Sequence, residues 1–569
     1  MNYLGVTIGP IVETMMQTSS PAGLWFASYF FSTITRDLCM ELQEKEYDVF
    51  TLPAEYKVRE HLEDHIGTGT YHDRIYACVD RERGGIRQDV EDAIRAVIGL
   101  RAEELADCTD DRTDADVEAV KTELRRYLQI HYVIMTEEQL ATKGVAKTLA
   151  DALDALELSE TVVGKPGESQ LFRMIRGNEI EGANVGLKKY APLKKAAAVD
   201  GFRLAYKEHG DQIGIHSLYY LSSHGKAEEE SRAVKADKAE KYFAIVQCDG
   251  DNMGKLLGGG TPGESFEDQK AKIRNFSKHC MDYTVSSSAM VTEYGGFVIY
   301  AGGDDLLFLA PLLGESKEDG AKEDGAIDSV LTLCERISEN FNQVFSDYKL
   351  SKGQTRPSIS FGISVNYYKF PLYEAFQDGR NLLFGTAKGF TAGRSDTKKK
   401  NNVAVKLHKA SGQTSGFVCC MDTAGKDEDS TQVYRKFLDF LRKYILSSSP
   451  GKKREKDDFM RSATYHLEEM KELFEVALLD ARNAADEEQK YASIQRAFRN
   501  VFDNEGQLFG GNMLADVADL TVQADAAYGR GLLKGLAESD DAEKSPKQKT
   551  AIDAVTSMLR VAKFFVEEG

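Results

Sequence analysis

Proline is scarce in this chain, with 11 residues in 569, and tryptophan occurs once. Hydrophobic residues still make up 42% and charged residues 29%, which excludes a disordered, collagen-like or low-complexity chain. No stretch approaches 18 uninterrupted apolar residues, and the opening MNYLGVTIGP has neither a basic n-region nor a cleavable apolar core. A soluble, cytoplasmic protein with no membrane contact is expected. The eight cysteines are scattered and form no C-x-x-C, so neither a disulfide framework nor a zinc ribbon is indicated, and they read as reduced core thiols. Positive charge is also in deficit. Lys plus Arg number 72 against 91 Asp plus Glu, a net charge of −19, which rules out a non-specific polyanion binder and makes any nucleic-acid contact local or shared with a basic partner.

At about 150 residues per domain, the length implies roughly four domains. Residues 1–137 read as an α+β domain: a strand at 3–9, a strongly helical pattern over 23–38, strand-like runs YDVFTLP (47–53), RIYACV (74–79) and LQIHYVIM (128–135), and a charged helix over 89–105. Residues 138–240 are rich in Ala, Lys, Glu and Leu with few strand signals, and are expected to form a helical connector. The segment 241–425 carries the clearest pattern. YFAIVQC (242–248) is a strand buried on both faces and ending at Asp249. A glycine loop then leads to a helix through Ile273, Phe276, Cys280 and Tyr283. FVIY (297–300) and LLFLAP (306–311) flank Gly302-Gly303-Asp304-Asp305 as a hairpin. An acidic loop (315–324), a helix over 331–345, the alternating strand SISFGISVNYY, a helix reaching Lys388 and a closing strand at Val403, Val405 and Leu407 complete a β-α-β-β-α-β order with one extra helix-strand step. That order predicts a ferredoxin-like palm. Residues 426–569 are helical throughout and predict a separate all-helical domain.

The palm order brings Asp249, Asp304 and Asp305 to one sheet edge. Two unit charges about 4 Å apart repel by roughly 4 kcal/mol at an effective dielectric near 20, so three carboxylates require protonation or a cation. Oxygen ligands without nearby His or Cys select Mg²⁺ or Mn²⁺, and two such ions are suited to nucleotidyl transfer. Gly302 and Gly303 would let a nucleotide lie against bare backbone. The amides of Gly250, Asp251, Asn252, Met253 and Gly254 are candidates to cradle phosphates, with Lys388 as a counter-charge and Ser277 on the intervening helix facing a base edge. A G-G-D-D turn alone is an ordinary polar hairpin. Its position between two apolar strands, downstream of a strand ending in D-G-D-x-M-G, makes it a site.

CDGDNMGKLL (248–257), GGFVIYAGGDDLLFLAP (295–311), SISFGISVNYYKFPLYEA (358–375) and TAKG (386–389) resemble the catalytic palm of the large subunit of type III CRISPR effector complexes, the CRISPR polymerase. The opening IGPIVETMMQTSSPAGLWFASYFFS (8–32) resembles the first, degenerate palm of the Cmr (III-B) subtype. The resemblance implies an α+β chain of two ferredoxin-like, nucleotide cyclase-like palms with a helical connector and a helical C-terminal domain. It implies a target-RNA-activated, metal-dependent nucleotidyltransferase that converts ATP into an adenylate second messenger, most often cyclic oligoadenylate. Asp249, Asp304 and Asp305 would hold two ions with the Gly250 carbonyl, and Gly9, Pro10, Trp25, Ser28 and Asp73 would frame the acceptor pocket. Partners would be the other subunits of the complex, including a small helical subunit, with guide and target RNA held mainly through them.

Two departures from the family narrow the expectation. The first palm begins at residue 3, leaving no room for an HD nuclease, and the connector lacks a cysteine quartet for zinc. His61, His65 and His72 cluster in EHLEDHIGTGTYHDR (60–74), yet an HD-type site draws ligands from several helices, so a pocket wall or surface loop is the simpler expectation. The basic runs at 398–400 and 452–456 read as solvated loops that could also face RNA. The competing functions are an adenylated non-nucleotide product, a stand-alone nucleotide cyclase and a catalytically silent scaffold.

Overall fold

The computed structural model describes all residues except 19, 53–67, 109–112, 159–169, 177–205, 210–211, 216–217, 223–240, 258–263, 316–326, 351–353, 355, 391–399, 422–431, 447–452, 483–486, 503–510, 539–549 and 569. His61, His65, the glycine loop after the first palm strand, most of the acidic loop and Lys398 and Lys399 fall outside the described residues.

The first sheet contains β1 (Asn2–Gly9), β2 (Asp48–Val49), β3 (Arg74–Val79) and β4 (Gln129–Thr136) in the order β2-β3-β1-β4, antiparallel throughout. Of the expected strand at 47–53, only two residues pair. Leu4, Val6 and Ile8 of β1 enter a core shared with α1 (Pro21–Glu44), α2 (Arg83–Ala106) and α3 (Asp114–Tyr127). Tyr3, from the alternate face of the same strand, packs instead with α4 (Val145–Glu157). That division follows the two-residue period of a strand. Connector helix α4 thus lies on the first sheet, and the connector also contains a hairpin, Tyr206–His209 with Gln212–Ile215, that its composition did not suggest.

The second sheet follows the expected palm closely. It contains β5 (Tyr242–Asp251), β6 (Phe297–Gly302), β7 (Asp305–Pro311), β8 (Ser358–Tyr367), β9 (Asn402–His408) and β10 (Thr414–Cys420) in the order β10-β9-β8-β5-β7-β6. Only β8 and β9 run parallel. β9 does not close the sheet, because a turn at Gly412 (φ 84°) returns the chain as the edge strand β10. Helices α5 (Phe266–Glu293) and α6 (Val330–Val344) cover one face. The other face receives α1 of the first palm and α7 (Leu372–Arg380), so β5 and β8 are buried on both sides. A Cβ on Gly362 of β8 would stand 2.4 Å from the Gly379 carbonyl oxygen and 2.5 Å from the Leu383 amide. Glycine is what lets the helix lie against the strand at that point.

Helix α1 joins the palms. Ser20 caps it, accepting from the Gly23 amide at 3.1 Å, and Pro21 at its first turn fits the position where no amide partner is needed. Nearly every side chain from Pro21 to Leu38 is buried, the pattern of a helix enclosed on all sides. The palms also share a backbone hydrogen bond, Ala301 N–H to the Gly69 carbonyl at 3.0 Å, and an ion cluster. In that cluster the buried Lys270 ammonium bonds Asp48 at 3.2 Å and Glu267 at 2.7 Å, while Arg274 also pairs with Asp48. The C-terminal helices share the α5/α6 core without a break. Tyr434 donates to the Leu331 carbonyl at 2.7 Å, and the Phe564 ring lies edge-on to Tyr242 at 4.6 Å.

Candidate active site

The strand expected to end at Asp249 continues to Asp251, with Asp249 opposite Ser360 of β8. Gly302 pairs with Asp305, leaving Gly303 and Asp304 as a two-residue turn between β6 and β7. Gly303 has φ 68°, the left-handed conformation that such turns require, and a Cβ there would meet nothing within 4 Å. Its outer face is open, as expected for a ligand-facing glycine. Gly302 is glycine for another reason, since a Cβ would stand 2.4 Å from the Tyr300 hydroxyl of the same chain. Gly250 lies beneath the turn, where a Cβ would come within 2.6 Å of an Asp304 carboxylate oxygen. Small residues on both strands thereby allow the acids to meet.

Ligand oxygens of Asp249, Asp304 and Asp305 all lie within 4.8 Å of one another, and no other group of three or more such ligands occurs among the described residues. Burial raises the Asp304 carboxyl to about 6. Burial likewise pushes Asp305 well above the carboxylate range, with the Asp304 and Asp73 charges adding to it. Asp305 Oδ1 is buried without a hydrogen-bond partner. An orphaned oxygen within a set of hard, crowded donors fits a divalent cation bound by oxygen ligands. The Lys388 amine touches Asp249 and donates to the Gly250 carbonyl at 3.2 Å. Burial, followed by the Lys400 charge, depresses it to about 7.

The Asp251 carboxylate is held inside the sheet. The residue is 1% exposed and accepts from Ser358 Oγ at 2.8 Å, Ser360 Oγ at 2.9 Å and the Asn401 amide at 2.7 Å, so its carboxylate fastens β5 to β8 and β9. Asn252 turns the chain at φ 60°. Met253 is buried, while Gly254 has open space above it. Of the two glycines in the expected phosphate loop, Gly254 has room beside its backbone and Gly250 does not.

Two cavities share Asp73, and the first of them is lined by Asp304 and Asp305. A cleft of about 250 Å³ lies between the palms and includes Ser277, Gly302, Gly303, Asp304, Asp305 and Asp73. A second, of about 550 Å³, includes Gly9, Pro10, Asp73, Tyr127, His131 and Arg380. Asp73 is the wall between them, and burial raises its carboxyl. Trp25 and Ser28 line neither cavity. Trp25 is fully buried and stacked on Tyr29 at 4.8 Å, and Ser28 is 2% exposed on the same enclosed helix, which corrects their assignment to the acceptor pocket. His72 lines the first cleft, where burial depresses its pKa and its Nδ1 accepts from the Arg74 amide at 3.3 Å. Sequence reasoning passed over Tyr300 and Arg380. A cation two helical turns before Lys388 on one continuous segment was the available signal for Arg380.

Two palms with one acidic centre at their junction define the class, a double-palm protein of nucleotide-cyclase type. Residues 242–404 match the Cas10/Cmr2 second palm domain. Over that domain the match bears out the resemblance to Cmr large subunits. A stretch of 190 residues is 28% identical to the CRISPR system Cmr subunit Cmr2 of Pyrococcus furiosus, covering 30% of this chain and 19% of that protein. The match therefore spans about a fifth of that relative's length. The fold is similar to a chain in the cryo-EM structure of the type III-B Cmr-beta complex bound to cognate target RNA, with TM-score 0.53, 11% identity and coverage of 100% of this chain and 83% of that one. A chain of the apo Cmr-beta complex matches at TM-score 0.49 and 12% identity over 87% of this chain and 77% of that one. Among the described residues, no helix is long and apolar enough to cross a membrane.

Proposed function

We infer that this chain is the large subunit of a type III-B CRISPR complex and, when target RNA is bound, converts ATP into an adenylate second messenger, most often cyclic oligoadenylate. The observation that carries this is the convergence of Asp249, Asp304 and Asp305 within 4.8 Å. These acids, with the Gly250 carbonyl, would hold two Mg²⁺ or Mn²⁺ ions, which when bound activate a sugar hydroxyl and stabilise the leaving pyrophosphate oxygens. Gly303 leaves open backbone for the donor nucleotide, and Ser277 and the cleft walls exclude water around its base. Lys388, the cation beside Asp249, neutralises the triphosphate when charged. Asp73 separates donor and acceptor cavities, so the two substrates meet unequal walls. Partner subunits would carry most of the guide and target RNA, consistent with the net charge of −19.

The test is Asp304→Ala combined with Asp305→Ala in the reconstituted complex. Products from labelled ATP, resolved by mass spectrometry with and without target RNA, should vanish while assembly and target-RNA binding persist. Retained product formation would overturn the assignment.

A further inference from the structure

Between Arg380 and Lys388 the chain makes a π-helical turn, Asn381–Ala387, in which the Lys388 amide bonds the Leu383 carbonyl at 2.9 Å. Single π turns are enriched at functional sites because the extra residue re-aims neighbouring side chains. Leu383 and Ala387 anchor this turn in the core, whereas Phe384 is 49% exposed. Its ring has Arg380 Cζ and Lys388 Nζ each 5.4 Å from the centroid. Both cations belong to the reaction region. Lys388 touches Asp249 and Gly250, and Arg380 lines the larger cavity beside Asp73. Phe384 lines neither cavity, and its ring lies beside one cation that touches the acids and another that lines the second cavity.

An exposed ring with two cations beside it is suited to one class of ligand. Phosphates draw the cations away from the ring, and a base then stacks on the face they leave. We propose that Phe384, with Arg380 and Lys388, forms a stacking platform for the base of a second, adenine-bearing nucleotide on the acceptor side of the acids. This rests on the nucleotidyl-transfer function inferred above.

The test titrates the full chain in Mn²⁺ with ATP, with the dinucleotide pApA and with inorganic tripolyphosphate. Phe384→Ala should weaken pApA binding about ten-fold, the effect of losing one base–aromatic stack, with the tighter ATP site and tripolyphosphate binding unchanged. Phe384→Trp should retain the wild-type affinity for pApA. Equal pApA affinity in wild type and Phe384→Ala, or an equal loss for tripolyphosphate, would overturn the platform while leaving the catalytic assignment standing. Failure of the wild-type chain to bind ATP at all would overturn both.

Discussion

Replacing Asp304 with Asn keeps the shape of the acidic turn and removes one of its three charges. Burial lifts the Asp304 carboxyl from the ordinary 3.8 to about 6. At about 1.36 kcal/mol per pH unit, its ionisation costs the metal-free fold up to about 3 kcal/mol. The sign follows from proton counting. Between about pH 4 and pH 6 the folded chain holds this proton more firmly than the unfolded chain, so stability falls as pH rises through that window, and the full cost stands above it. Asn pays none of this. With chelator present, Asp304→Asn should therefore be more stable than wild type at about pH 7.5, by up to about 3 kcal/mol, and the advantage should shrink towards zero near pH 4. A divalent cation replaces the missing proton in the wild type, so Mn²⁺ should raise the wild-type urea midpoint, followed by circular dichroism, far more than that of the variant. Two results would refute the reasoning: a variant less stable than wild type in chelator at neutral pH, or equal stabilisation of both proteins by Mn²⁺.

Other perturbations reach different parts of the molecule. Lys388→Ala should lower ATP turnover by about ten-fold to a few hundred-fold, as expected for loss of a positioned cation, and Lys388→Arg should recover part of it. Gly362→Ala drives a methyl into the helix backbone at 2.4 Å and should destabilise the chain by about 1–3 kcal/mol or more, visible as a lowered urea midpoint. Tyr434→Phe removes the bond to the Leu331 carbonyl and should cost about 1 kcal/mol in the same assay. Asp48→Ala leaves Lys270 with Glu267 as its remaining carboxylate partner, and should increase hydrogen exchange along α5 while leaving the α6 amides protected.

The second palm was legible because its strands are continuous or alternating apolar runs punctuated by glycine and aspartate, and one strand order satisfies them all. β10 was missed although its turn carried a signal, the S-G pair before TSGFVCC, because β9 already completed a plausible sheet. The role of the Asp251 carboxylate went unread for a related reason. Its neighbours in sequence suggested a phosphate loop, whereas its actual partners, Ser358, Ser360 and Asn401, are more than a hundred residues away. Trp25 and Ser28 were placed in a pocket by resemblance, yet GLWFASYFFSTIT carries no charged residue, which fits a helix enclosed on every side. Tyr300 was invisible because nothing local distinguishes it, and Arg380 offered only its two-turn spacing from Lys388. Only the folded sheet brings them to the acids.

The bond from Ala301 to Gly69 means that the first palm contributes a backbone bridge to the rim of the second sheet, next to Tyr300. Three residues further on, the chain reaches Asp304. The aspartate turn is thus tethered to both halves of the molecule, and a subunit that grips only the first palm would still have mechanical purchase on the proposed catalytic centre.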